Sequence, residues 1–183
     1  MQRRAANAAG MADLPDFLTL RHNRDRVGIR EVPFRRAGTA LVSLFLLAGL
    51  LNVFGQRPQS STAAVSTASI KLYAPAHLRL GLYFEARFTI DAHSDVKNAT
   101  LVLNSGWAEG MTINTIEPSP IGEASRDGKL VLELGHIPAG KTYLLFMQLQ
   151  VNPTNVGRRS QDVALYDGDT FLTSIDRTVT IFP

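Results

Sequence analysis

At 183 residues the chain has room for one ordinary domain with appendages, but not for two full domains. It contains no cysteine, which excludes disulfides, thiolate nucleophiles and Cys-ligated metals. The formal net charge of +3 arises from a tail: residues 1–36 hold eight Arg against four acidic residues, whereas residues 57–183 hold eleven basic against twelve acidic, so the folded part lacks the cationic surface that nucleic acid requires.

Residues 1–36 are predicted to be a basic cytoplasmic tail. Pro15-Asp16-Phe17-Leu18-Thr19-Leu20 begins a plausible short helix, with Pro in its first turn, Asp16 at the positive end of the dipole and Arg21, Arg24 and Arg26 at the other. Phe17, Leu18 and Leu20 beside arginine would suit an anionic leaflet. The simpler alternative is a tail without fixed structure whose arginines only set topology. Arginine outnumbers lysine by fifteen to four, which leans towards a GC-rich bacterial source.

Residues 37–56, AGTALVSLFLLAGLLNVFGQ, carry no charge. As a helix they would reach roughly 30 Å, the thickness of a bilayer's hydrocarbon core. Ten are Leu, Val or Phe, contributing roughly −3 to −6 kcal/mol to insertion. The predicted transmembrane helix would turn Leu41, Leu44, Phe45, Leu46, Leu47, Leu50 and Leu51 to lipid. A buried globular helix usually keeps a polar stripe, and this run has none. Arg35 and Arg36 precede it, so the N-terminus is expected inside and the C-terminal domain outside a bacterial inner membrane. One alternative is a cleaved signal peptide, with Ser61-Thr62-Ala63 as the cleavage site and Met11 as a second candidate start. Another is twin-arginine export, but Gly38 and Thr39 stand where that signal has an aromatic residue and Leu. An uncleaved anchor is favoured. The run has no G-x-x-x-G, hence no motif for pairing with a second helix.

Residues 57–68 are polar, small and non-periodic, and are predicted to be a flexible linker spanning roughly 20 Å. Residues 69–183 form the extracytoplasmic domain, where period two dominates. From Leu78 to Asp91 every even position is apolar and most odd ones are polar, as in a half-buried strand, with a break near Gly81. Further strands are expected at Ala99–Asn104, Met111–Ile116, Lys129–Leu134, Thr142–Val151, Asp162–Tyr166 and Arg177–Phe182. Turn residues separate them, among them Asp127-Gly128, Pro138-Ala139-Gly140 and Asp167-Gly168-Asp169. Seven or eight short strands without a helical period imply an all-β, immunoglobulin-like antiparallel β-sandwich. Tyr143 to Met147 is apolar on both faces, so that strand is expected to be central.

Two stretches resemble the conserved-repeat immunoglobulin-like domains of bacterial surface proteins. One is Leu134-Gly135-His136-Ile137-Pro138-Ala139-Gly140-Lys141 with the apolar strand ending Val151-Asn152-Pro153. The other runs from Phe88 through Leu103 and on to Gly110. The likeness covers roughly residues 80–170 and departs at Ser94-Asp95-Val96, where the family places an Asn-x-Gly turn. It implies exposure outside the cytoplasm and an adhesive or scaffolding role, with no catalytic residues to carry over.

The candidate sites are few. His22, His77, His93 and His136 show no metal-ligand spacing, and His93 and His136 are expected as solvated turn residues. There is no G-x-S-x-G. Asp167-Gly168-Asp169 invites calcium, yet Asp-Gly is first a hairpin turn. Arg158-Arg159 reads as a solvated loop. Asn98-Ala99-Thr100 fits a sequon that matters only in a eukaryotic secretory route. Trp107, within Asn104-Ser105-Gly106-Trp107-Ala108-Glu109-Gly110, is the candidate partner contact if it stands out from a loop; the bland alternative folds it back over one end of the sandwich.

The expectation is therefore a non-enzymatic single-pass membrane protein that presents an interaction or scaffolding module. Its partners would be the lipid bilayer and another membrane or envelope protein, with no cofactor and no metal. The rival is a carbohydrate or cell-wall binder using Trp107 with Tyr83 or another surface aromatic. An enzyme would need His136 or His93 gathered with carboxylates in a cleft.

Overall fold

The computed structural model describes residues 31–183 apart from Asn52 and Phe54. The expected tail up to residue 30, its short helix and His22 lie outside the described residues. The chain divides into two units, Met1–Val53 and Phe54–Pro183.

In the first unit, α1 covers Glu31–Leu50 among the described residues, so the helix takes in Arg35 and Arg36 ahead of the charge-free run. Helical-type hydrogen bonds continue at Leu51, whose N–H donates to Leu47 O (2.9 Å), and at Val53, which donates to Ala48 O (3.0 Å). Among the described residues no helix is long and apolar enough to cross a membrane. The reason is the offset: the apolar part of α1, from Ala37 to Leu50, is only about 21 Å long. Its large apolar residues, Leu41, Leu44, Phe45, Leu46, Leu47 and Leu50, are nonetheless all exposed, so the helix has no buried stripe.

The second unit holds thirteen strands. They are β1 (Pro58–Ala64), β2 (Ala68–Pro75), β3 (His77–Arg79), β4 (Tyr83–Ala92), β5 (Val96–Leu103), β6 (Met111–Glu117) and β7 (Gly122–Arg126). After these come β8 (Lys129–Ile137), β9 (Thr142–Val151), β10 (Gly157–Ser160), β11 (Val163–Asp167), β12 (Thr170–Ile175) and β13 (Thr178–Phe182). Two five-stranded sheets, ordered β1-β2-β4-β9-β6 and β12-β11-β5-β8-β7, form the sandwich. The three-stranded β10-β13-β3 adds Leu78, Val179 and Ile181 to the same core. Every pairing in the two large sheets is antiparallel; only β13 and β3 run parallel.

Period two explains the core. The even residues Phe84, Ala86, Phe88 and Ile90 of β4 are buried, alongside Leu145, Met147 and Leu149 of β9, and the second sheet supplies Leu101, Leu103, Leu132 and Leu134. Each buried Leu or Phe contributes about 1.5–3 kcal/mol. The all-β sandwich is as expected. Asp127 and Gly128, at φ 52° and 73°, make the two-residue turn that joins Arg126 to its partner Lys129.

The flexible linker needs correction. Pro58–Ala64 is a full strand, paired with β2 from Pro58 opposite Pro75 to Ala64 opposite Ser69. As a largely exposed edge strand of small polar residues it has no apolar alternation to announce it. The candidate cleavage site Ser61-Thr62-Ala63 lies inside β1, where cutting would sever a hydrogen-bonded strand. Strands β2, β7, β10 and β12 were likewise not among those expected.

Candidate functional site

Trp107 is not the partner contact expected of it. The side chain of Asn104 accepts from Ser105 N–H and starts a 3-10 turn, Ser105–Trp107, that drives the indole inward to 0% exposure. There it packs on Phe88 (ring centres 5.4 Å apart) with the Arg177 guanidinium 6.0 Å from its centre. A Cβ on Gly106 would lie 2.1 Å from the Ser160 carbonyl oxygen, so only glycine lets the turn approach so closely. The bland reading of this segment was the right one. With Trp107 sealed, the carbohydrate site built on it and the distant Tyr83 is excluded.

The groups around the plug are polar, with Arg177 buried and Asp162 half-buried. Arg177 donates to the carbonyls of Ala74 (2.9 Å) and Pro75, and burial lowers its pKa to about 10. Asp162 accepts from Arg177 N–H (2.7 Å), Ser160 Oγ (2.5 Å) and Asn104 Nδ2 (3.1 Å). Burial opposes its charge, but these hydrogen bonds outweigh it and hold the carboxyl below the usual range. This arrangement closes the turn over Trp107.

The histidines are scattered. His136 sits in strand β8 rather than a turn, with Nε2 2.7 Å from Asp95 Oδ1 on the surface. His93 is an exposed turn residue as expected, and His77 stacks on Phe182. Among the described residues no group of three His, Asp or Glu is placed to hold a metal ion. Asp167 accepts from Asn98 N–H (2.7 Å) and Gly168 N–H donates to Asn98 O (2.8 Å), so Asp167-Gly168-Asp169 works as the β11–β12 turn. Arg158 and Arg159 belong to β10 rather than to a loop.

The two outer sheet faces are the open surfaces, and they differ. On the first sheet, Tyr73 of β2, Arg87 of β4 and Phe146 of β9 stand in one cross-strand row. The Arg87 guanidinium lies 4.9 Å from the Phe146 ring centre and 5.9 Å from that of Tyr73, and also meets Glu85 at 3.3 Å. Beside this row Leu144 is 40% exposed and Tyr83 61%. Strand β9 is internal to its sheet, as its doubly apolar sequence implied, yet its outward residues face solvent. That second apolar face was the sequence signal for this patch.

On the second sheet the outward rows are Phe171–Tyr166–Thr100–Glu133–Gly122 and Ser174–Ala164–Val102–Val131–Ala124. Small side chains in the middle and long ones around them make a basin. It comprises two adjoining depressions of about 290 and 270 Å³ that share Thr100, Val131, Arg126 and Asp169. A Cβ on Gly122 would meet the Glu133 carboxylate at 2.6 Å, and Ile121 lies over Gly135. No local sequence signal marks the basin, because its floor is assembled from three strands.

No family model matches the sequence, and no curated protein matches it. Among solved structures the chain is similar to the C-terminal domain of Wzt, 13% identical over 70% of this chain and 81% of that one, with a TM-score of 0.39. A non-cellulosomal cohesin from the hyperthermophilic archaeon Archaeoglobus fulgidus is 13% identical over 69% and 92%, also at 0.39. A CARDB domain from Pyrococcus furiosus, solved in complex with di-metal ions, is 12% identical over 69% and 94%, at 0.36. The sheet topology bears out the resemblance to conserved-repeat domains only as far as the sandwich.

Proposed function

We propose that the chain is a non-enzymatic interaction module, anchored in a bacterial inner membrane, whose outer face around Arg87 docks an envelope protein. The observation that carries this is the exposed row Tyr73–Arg87–Phe146. An arginine held between two aromatic rings has already lost much of its side-chain freedom, and Arg, Tyr and Phe are the types that supply binding energy at interface centres. The Arg87–Glu85 pair is too exposed to stabilise the fold appreciably, so its residues are free to serve recognition. Photo-cross-linking in intact cells tests this. A cross-linker at Leu144 should yield one adduct that disappears in Arg87→Ala, whereas a cross-linker at Ser125 should not yield it. Identical adducts from both positions, or indifference to Arg87→Ala, would sink the docking face.

The anchor is proposed from the charge-free run and from the part of α1 beyond Arg36, whose large apolar residues are all exposed. With the continued turn to Val53 the apolar helix reaches about 25 Å, which local bilayer thinning accommodates. Because the chain has no cysteine, single-cysteine variants report topology cleanly. In intact spheroplasts, Ser119→Cys should react with a membrane-impermeant maleimide and Glu31→Cys should not. Release of the protein by alkaline carbonate would remove the anchor from the account.

A further inference from the structure

Independently of the Arg87 face, we propose that the basin on the other outer face, over β5, β8 and β11, binds a neutral saccharide. Backbone pairing narrows the choice of ligand first. Strand β5 is bonded to β11 on one side and β8 on the other, so the floor offers no free N–H or C=O row and an added peptide strand has nothing to pair with. A ligand here must be held by side chains.

Charge narrows it further. Arg126 and Lys129 alternate around the rim with Asp127, Glu133 and Asp169, so an ionic ligand of either sign meets a like charge. Hydroxyl groups, each both donor and acceptor, use carboxylates and cations alike. The floor supplies the remaining requirement. Val102, Val131 and the Tyr166 ring offer apolar surface to the C–H face of a sugar, and Phe171 packs edge-on against Tyr166 with ring centres 5.5 Å apart, holding that ring in place. Each depression falls just below the range for pockets enclosing a drug-sized ligand, about 300 Å³ and upwards. The two are contiguous and open, which suits adjacent rings of one oligosaccharide lying across the sheet.

The test uses the full chain purified in a non-glycosidic detergent and titrated with cellotetraose, mannotetraose and tetra-N-acetylchitotetraose, read by amide chemical shifts. At least one probe should saturate with a dissociation constant of about 1 mM or tighter, shifting Thr100, Val131 and Gly168. Tyr166→Ala should weaken it at least tenfold and Thr100→Trp, which fills the floor, should abolish it; Tyr83→Ala should change nothing. All three positions face solvent, and unfolding curves would verify that the variants fold. No saturation with any probe, shifts confined to the Tyr73–Arg87 face, or binding indifferent to Tyr166→Ala would overturn the proposal. So would tighter binding of tetragalacturonate than of every neutral probe.

Discussion

Trp107 and Tyr166 are both aromatic residues with a polar atom, each within two residues of Gly and with Asn or Asp nearby in the sequence, and they end in opposite environments. Trp107 is sealed beneath a 3-10 turn, against Phe88 and Arg177. Tyr166 stands at the wall of an open basin. What separates them is not their local sequence but what comes to meet them: for Trp107, Asp162, Ser160 and Arg177 close the turn; for Tyr166, the neighbouring strands bring Phe171 to one edge of the ring and the shorter Thr100, Val102 and Val131 beside it. Aromatic content in a Gly-rich segment is therefore a poor guide to exposure in a sandwich.

The largest effect should come from breaking the sealed member of the pair. Trp107→Ala is expected to cost about 3–5 kcal/mol in urea unfolding, as for other buried aromatics. Tyr166→Ala, half-buried and paired edge-on with Phe171, should cost only about 0.5–1.5 kcal/mol. Equal losses from the two would mean that the sealed and open environments are wrongly distinguished.

Much of this contrast could not be read from the chain, for a physical reason. Period two announced β4, β9 and the sandwich, because burial on one face is written locally into every second residue. The strand β1 escaped because an edge strand such as Pro58–Ala64 borrows its order from β2 and needs no apolar face of its own. The Arg87 row and the basin escaped because each is a product of register among three or more strands. The helical segment was legible in composition, but that the helix takes in Arg35 and Arg36 was not.

Alkaline pH probes the sealed end with a smaller effect. In the native state burial lowers Arg177 to about 10, well below the ordinary value that the exposed side chain keeps. Its charged form is thus disfavoured by folding, and the penalty is fully present below pH 10. It is relieved as pH rises above 10, because the unfolded chain then binds the extra proton. Relative to Arg177→Met, the parent should gain about 1 kcal/mol of stability between pH 9 and 11. Lysine and tyrosine titrations common to both proteins cancel in the difference. A constant gap would show that Arg177 is hydrated in solution and the plug looser than described.

The subtlest distinction lies between two glycines. At both Gly106 and Gly122 an added Cβ would come too close to a neighbour, 2.1 Å from the Ser160 carbonyl oxygen and 2.6 Å from the Glu133 carboxylate. Neither needs a left-handed backbone, so alanine is not strained at either by φ. The difference is what must yield. Ser160 is main chain at the end of β10 and anchors the seal over Trp107, so Gly106→Ala should cost about 1–3 kcal/mol, as overpacking does. Glu133 is the free end of a long exposed side chain that can swing over the basin rim. Alanine there also restricts the unfolded chain, which offsets the small cost of moving it. Gly122→Ala should therefore fall within about 0.5 kcal/mol of the parent in urea unfolding. A loss comparable to that of Gly106→Ala would mean that Glu133 is fixed, and that the rim of the basin is as rigid as the sealed end.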